Sequence, residues 1–210
     1  MFSYIRDPAE ITRRSFEIIA AEADLAALPG DIAAVAGRIV HACGMPDVVA
    51  DLAYSPRAGE RGRTALISGA PILCDVRMVA SGLATSRLPA KNEVHVAIEQ
   101  PGAAELARRS GQTRTAAGLE LLAEKFGGAV VVIGNAPTAL YRLMELIAEG
   151  ASGPALVLGF PDGFVGAAES KQALAGNAFD LPFITIAGRR GGSGIAAAAL
   201  NALLVGTAGA

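Results

Sequence analysis

Ala129-Val130-Val131-Val132-Ile133-Gly134-Asn135-Ala136-Pro137 is the stretch that decides the fold. An unbroken apolar run, rich in β-branched residues, meets glycine, asparagine and proline. β-Branched side chains suit extended backbone. A strand with no polar alternation is one buried on both faces. Proline then suits the first turn of a helix, and helical periodicity runs from Pro137 to Glu149. The same alternation continues along the chain. Strand Ala155–Leu158 precedes a helix over Ala167–Ala175, and strand Phe183–Ile186 precedes an alanine-rich helix over Gly194–Leu204. Apolar strands alternating with helices predict an α/β fold: a doubly wound, mainly parallel sheet with helices on both faces.

Working back from there, Pro71–Val76 and Glu93–Ile98 read as strands, and 103–109 and 115–126 as helical. The N-terminal segment, residues 1–45, reads as helical too. Asp7-Pro8-Ala9-Glu10 has the form of a capped start, and its helix extends to about Asp24, with Ile11, Ser15 and Ile18 on its apolar face. A second helix starts with Asp31 as N-cap and stops at Gly44, with Ile32, Val35, Ile39 and Cys43 facing the core. Neither an internal repeat nor a low-complexity linker divides the chain, so residues 1–210 read as a single domain.

Composition narrows the function. The chain is 52% hydrophobic and 18% charged, with mean hydropathy +0.42, so a large core is expected and some apolar surface is left for a dimer interface. No apolar run approaches the roughly 18 residues of a membrane span. The first residues do not form a signal peptide, and a cytoplasmic protein is expected. Net charge is −2, with no basic tract among aromatics, which argues against nucleic acid as a partner. Cys43 and Cys74 have no CxxC spacing and read as reduced thiols. Two histidines and no HExxH give no metal site.

In a sheet of this kind ligands bind beyond the carboxyl ends of the strands. Three of those ends are rich in glycine and polar groups: Gly134–Thr138, Gly159–Gly166 followed by Glu169-Ser170-Lys171, and Gly188–Gly194. Each leads into a helix N-terminus, where free N–H groups favour anions. Glycine in such loops also serves simply to turn the chain. Gly192-Ser193-Gly194-Ile195-Ala196-Ala197 fits the dinucleotide pattern G-x-G-x-x-A, but the strand and acidic residue that should follow are missing. No P-loop and no G-x-S-x-G elbow occurs.

His41 lies near the end of the second helix, and Arg38 shares its stripe. The partial negative charge of a helix C-terminus favours a protonated imidazole, which makes His41 a candidate proton donor. The competing reading is a plain C-cap bonded to the last carbonyls. Ser15, beside Arg13 and Arg14, is either a ligand contact or a hydroxyl bonded back to the preceding turn. Thr85, Arg87, Asn92 and Arg114 stand in loops and at helix starts, where solvated surface groups are common.

Taken together, these segments resemble the precorrin-8X methylmutase family. The resemblance rests on Tyr4-Ile5-Arg6-Asp7, Arg14-Ser15-Phe16, Ile39–Gly44, Gly69–Asp75, Asn92-Glu93-Val94, Ile133–Leu140, Gly163–Lys171 and Gly191-Gly192-Ser193. It implies a methyl shift from carbon eleven to carbon twelve of a corrinoid ring, giving hydrogenobyrinic acid in cobalamin biosynthesis without a cofactor. It implies His41 as the proton donor, with Ser15, Arg38, Thr85 and Arg114 against a tetrapyrrole polycarboxylate in a homodimer. Ala42-Cys43 looks more like the members whose substrate lacks cobalt; the alternatives are cobalt-precorrin-8 as substrate, or a non-catalytic corrinoid carrier. A doubly wound domain for a phosphorylated metabolite is a third reading, which the missing nucleotide fingerprints disfavour. Asp162 departs from the family's Gly-x-Pro-Val-Gly-Phe-Val pattern and is expected to point to solvent.

Overall fold

The computed structural model describes residues 2–176 and 178–204. The elements are α1 (Pro8–Glu22), α2 (Gly30–Cys43), β1 (Leu52–Tyr54), α3 (Ala58–Ile67), β2 (Ile72–Cys74), α4 (Arg77–Ser81) and β3 (Val94–Val96), followed by α5 (Ala103–Ser110), α6 (Arg114–Glu120), β4 (Val130–Ile133), α7 (Pro137–Ala148), β5 (Leu156–Gly159), α8 (Ala167–Gly176), β6 (Phe183–Ile186) and α9 (Ser193–Leu204). The strands form one sheet in the order β1-β6-β5-β4-β2-β3. β2 to β6 are parallel, and β1 runs antiparallel along β6 with Leu52 opposite Ile186. This is the doubly wound, mainly parallel α/β fold read from the sequence.

Successive strand residues point to opposite faces, and the core divides accordingly. Ile72, Cys74, Val130, Val132, Leu156, Leu158, Ile184 and Ile186 pack with α2, α3 and α9. Leu73, Val131, Ile133, Val157 and Phe183 pack on the other face with α6 and α7. Every residue of β4 is fully buried, as its unbroken apolar run requires.

The winding reverses between β2 and β4. The chain leaves β2 toward β3 on one side, and from β4 it builds β5 and β6 on the other. Loops leaving adjacent strands in opposite directions open a crevice at that point.

Several local expectations change. The N-cap of α2 is Pro29, not Asp31. The Asp31 carboxylate instead accepts the Glu60 N–H at the start of α3, 3.2 Å away. Arg57, at the N-cap of α3, supplies no side-chain cap, so the neighbouring helix satisfies that free donor. α1 begins at the Asp7 cap as expected but turns a different side inward. Ile19 is its buried residue and Phe16 is half-buried, while Ile11 and Ile18 remain 44% and 49% exposed. The helix predicted over 115–126 ends at Glu120 and continues as a 3₁₀ turn. β1 and α3 lie in a stretch whose elements the sequence reading leaves unassigned.

Candidate active site

α2 stops where Gly44 takes the left-handed conformation (φ +69°) and donates its N–H to Val40 O at 2.8 Å. That leaves His41 exposed on the last turn. Its imidazole stacks on the Phe16 ring of α1, with centroids 5.1 Å apart and planes 16° from parallel. The Arg38 guanidinium lies 4.7 Å from the centre of the same ring. The predicted Arg38/His41 stripe is therefore real, and Phe16 is the surface it rests on. Ser15 precedes Phe16, is half-buried, and donates its hydroxyl to Ile11 O at 2.8 Å. That back-bond uses the Ser15 proton and leaves its oxygen lone pairs for a donor.

The chain after His41 passes through a 3₁₀ turn, Pro46–Asp51, into β1. β1 starts beside the last residue of β6, so this turn sits at the carboxyl rim of the parallel strands. Asp51 O accepts the Ala187 N–H at 2.7 Å. Arg190, in the loop after β6, reaches back to Asp47 at 2.5 Å and also binds Asp51. Beneath this loop Lys171 of α8 is almost fully buried and donates to Arg190 O at 2.5 Å. Burial lowers the Lys171 ammonium to about 8, although the charges of Asp162 and Asp51 favour its protonated form.

At the winding reversal, Asp75 closes the floor of the crevice. It follows β2 directly, is fully buried, and accepts N–H groups from Val76, Gly134, Asn135 and Ala136 at 2.7–3.1 Å. Burial pushes its carboxyl up, and the four amide donors pull it back. Arg114 is exposed at the start of α6. Its neighbour Thr113 shares a 2.8 Å hydroxyl hydrogen bond with Thr138 at the start of α7, which places Arg114 beside the loop after β4. Asp162 is exposed, as expected.

Thr85 stands apart. It lines a depression of about 360 Å³ with Arg77, His95, Glu99 and Gln100 along the β3 edge. No hydrogen bond or ring contact links it to His41, Arg38 or Ser15. A depression of about 860 Å³, lined by Arg57, Arg61, Gly128, Pro154 and Pro182, opens at the amino ends of the strands, away from these groups. Among the described residues no cluster of three histidines, cysteines or acids is arranged to hold a metal. Cys74 is buried, and its thiol is pushed up to about 12, chiefly by desolvation.

Sequence reasoning did not single out Asp75 or Phe16, and it named Lys171 only within Glu169-Ser170-Lys171 after the second loop. Asp75 was legible in principle as the one acid closing an apolar strand. Phe16 gives no local signal, because its role depends on packing between elements distant in sequence.

Comparison with known proteins agrees with this architecture. The CbiC family, described as precorrin-8X methylmutase, matches residues 10–205. A precorrin-8X methylmutase of Pseudomonas aeruginosa is 55% identical, covering 97% of this chain and 98% of that protein. One from Sinorhizobium is 51% identical, covering 96% of each. A cobalt-precorrin-8 methylmutase of Priestia megaterium is 36% identical, covering 94% of this chain and 88% of that protein. The crystal structure of precorrin-8X methylmutase from Thermus thermophilus superposes with a TM-score of 0.84 at 40% identity, covering 93% of this chain and 94% of that one. With both its length and its fold shared, the chain belongs to the precorrin-8X methylmutase family.

Proposed function

We propose that this isomerase moves a methyl group of precorrin-8X from carbon eleven to carbon twelve, giving hydrogenobyrinic acid, with His41 as proton donor. Family membership supports the activity. The observation that carries the role of His41 is its exposed imidazole, stacked on Phe16 beside Arg38. The shift is intramolecular, so no atom is gained or lost. A proton lent by His41 to the conjugated ring eases electron flow toward that point, and it is returned as the product forms. Arg38 and Arg114 suit the carboxylates of the substrate, and the Ser15 oxygen is left to accept from an N–H of the ring. A cobalt-free substrate is the better reading, because the relatives named for precorrin-8X are 55% and 51% identical and one named for the cobalt form is 36%.

The reading includes one α/β domain in the cytoplasm, working as a homodimer. Ile11 and Ile18 leave an apolar strip on α1, the helix that carries Ser15 and Phe16. A second copy seated there buries the strip and walls the site. Thr85, which shares no hydrogen bond with His41 in its own chain, then serves the site of the partner.

An absorbance time course with precorrin-8X, run with wild type and His41→Ala, tests the assignment. Conversion by wild type alone supports it. Conversion by both keeps the enzyme and demotes His41 to binding or capping. A spectral shift without conversion by either fits a carrier or a cobalt-requiring enzyme.

A further inference from the structure

The loop after β5 ends in two large apolar residues that nothing covers. Phe164 is 83% exposed and Val165 is 89% exposed. They sit between Gly163 (φ +126°) and Gly166 (φ +79°), conformations that side-chain-bearing residues rarely adopt. The loop is nevertheless tied down, because the Gly163 N–H bonds Arg189 O at 3.2 Å. The Arg189 guanidinium lies 5.3 Å from the centre of the Phe164 ring.

The arginines of this chain divide between carboxylate partners and aromatic ones. Arg13, Arg77, Arg142 and Arg190 are committed to carboxylates. Arg189, among the described residues, has no carboxylate partner and rests on an aromatic face. Arg6 on Tyr4 and Arg38 on Phe16, beside His41, do the same. A cation on an exposed ring is oriented by it while its N–H groups stay available to an anion.

We propose that Phe164 and Arg189 form a second substrate-binding unit: the phenyl ring takes the apolar face of the corrinoid and the guanidinium takes one of its peripheral carboxylates. The proposal rests on the corrinoid reading above and adds residues to it. A flat apolar ring edged with carboxylates complements both groups at once. A purely apolar socket on a second copy would cover Phe164 only by desolvating Arg189 without an anion, which is unfavourable.

The test is titration of hydrogenobyrinic acid by absorbance into wild type, Arg189→Met, Phe164→Leu and, as a charge control, Arg108→Met. Arg189→Met is expected to weaken binding about tenfold and Phe164→Leu about fivefold, with the control unchanged. Both altered residues are exposed, so circular dichroism and melting should match wild type. With the carboxylates of the ligand converted to amides, the deficit of Arg189→Met should shrink. Unchanged affinity for the acid in Arg189→Met, with wild type binding normally, overturns the proposal and leaves the corrinoid reading standing. Unchanged affinity with loss of dimer in Phe164→Leu, by light scattering, also overturns it and assigns the loop to copy contact. Failure of wild type itself to bind overturns the corrinoid reading, and the proposal with it.

Discussion

The His41 imidazole lies nearly parallel to the Phe16 ring, 5.1 Å between centroids, so the candidate acid of α2 is oriented by a residue of α1. His41→Ala should reduce turnover by about 10²–10⁴-fold, the range for losing a positioned acid. Affinity for the product should change only a few-fold. Phe16→Leu keeps apolar volume but removes the flat support, and should lower kcat more than it raises KM. Steady-state kinetics paired with product titration checks both.

Replacing Asp75 by Asn should destabilise the fold by about 2–4 kcal/mol. The amide that replaces the carboxylate turns a donor toward N–H groups that need an acceptor, and buried donors without partners are costly. Urea unfolding gives the difference. Because the loop after β4 is held by this carboxylate, proteolysis within 134–136 should also quicken.

Lys171 makes stability depend on pH with a definite sign. Its ammonium falls from 10.5 to about 8 on folding. Between those values the unfolded chain holds more protons, so this residue's contribution to stability rises with pH through that window and is flat on either side. Cys74 is shifted the other way and acts oppositely above pH 9, so the clean quantity is wild type minus Lys171→Met. That difference should move in favour of wild type by about 2–3 kcal/mol between pH 7 and 10.5. Chemical denaturation at several pH values measures it.

Two glycines should respond in opposite directions to alanine. A Cβ on Gly118 would stand 1.8 Å from Ala97 O, so Gly118→Ala should cost about 3 kcal/mol or more. At Gly30 nothing lies within 4 Å of the added carbon and the residue is helical. Gly30→Ala should therefore stabilise by about 0.5 kcal/mol, mostly by restricting the unfolded chain. Thermal melts of the pair decide.

The sheet was legible because its strands are buried on both faces, which forces unbroken apolar runs such as Val130–Ile133. β1 was not, because a short, half-buried edge strand has no such constraint. α1 misled because its apolar stripe, Ile11 and Ile18, is left open while Ile19 turns inward. In the site, the Arg38/His41 pair followed from helical spacing alone. What they rest on did not, since Phe16 reaches them only through the packing of α1 on α2. The Asp31 cap failed for a related reason: the right type of residue was read in the right turn, and its carboxylate serves another helix.

Asp75 gives the crevice a floor made of main chain. Three consecutive amides of one loop hang from a carboxylate that directly follows the neighbouring strand. None of those contacts uses the side chain of Asn135 or Ala136. The foundation and the furnishing of the site are thus specified separately. Substitutions that retune which corrinoid is accepted can accumulate on the rim while the surface beneath keeps its shape. Reshaping that surface takes a change at a buried acid, where almost any replacement is felt by the whole sheet.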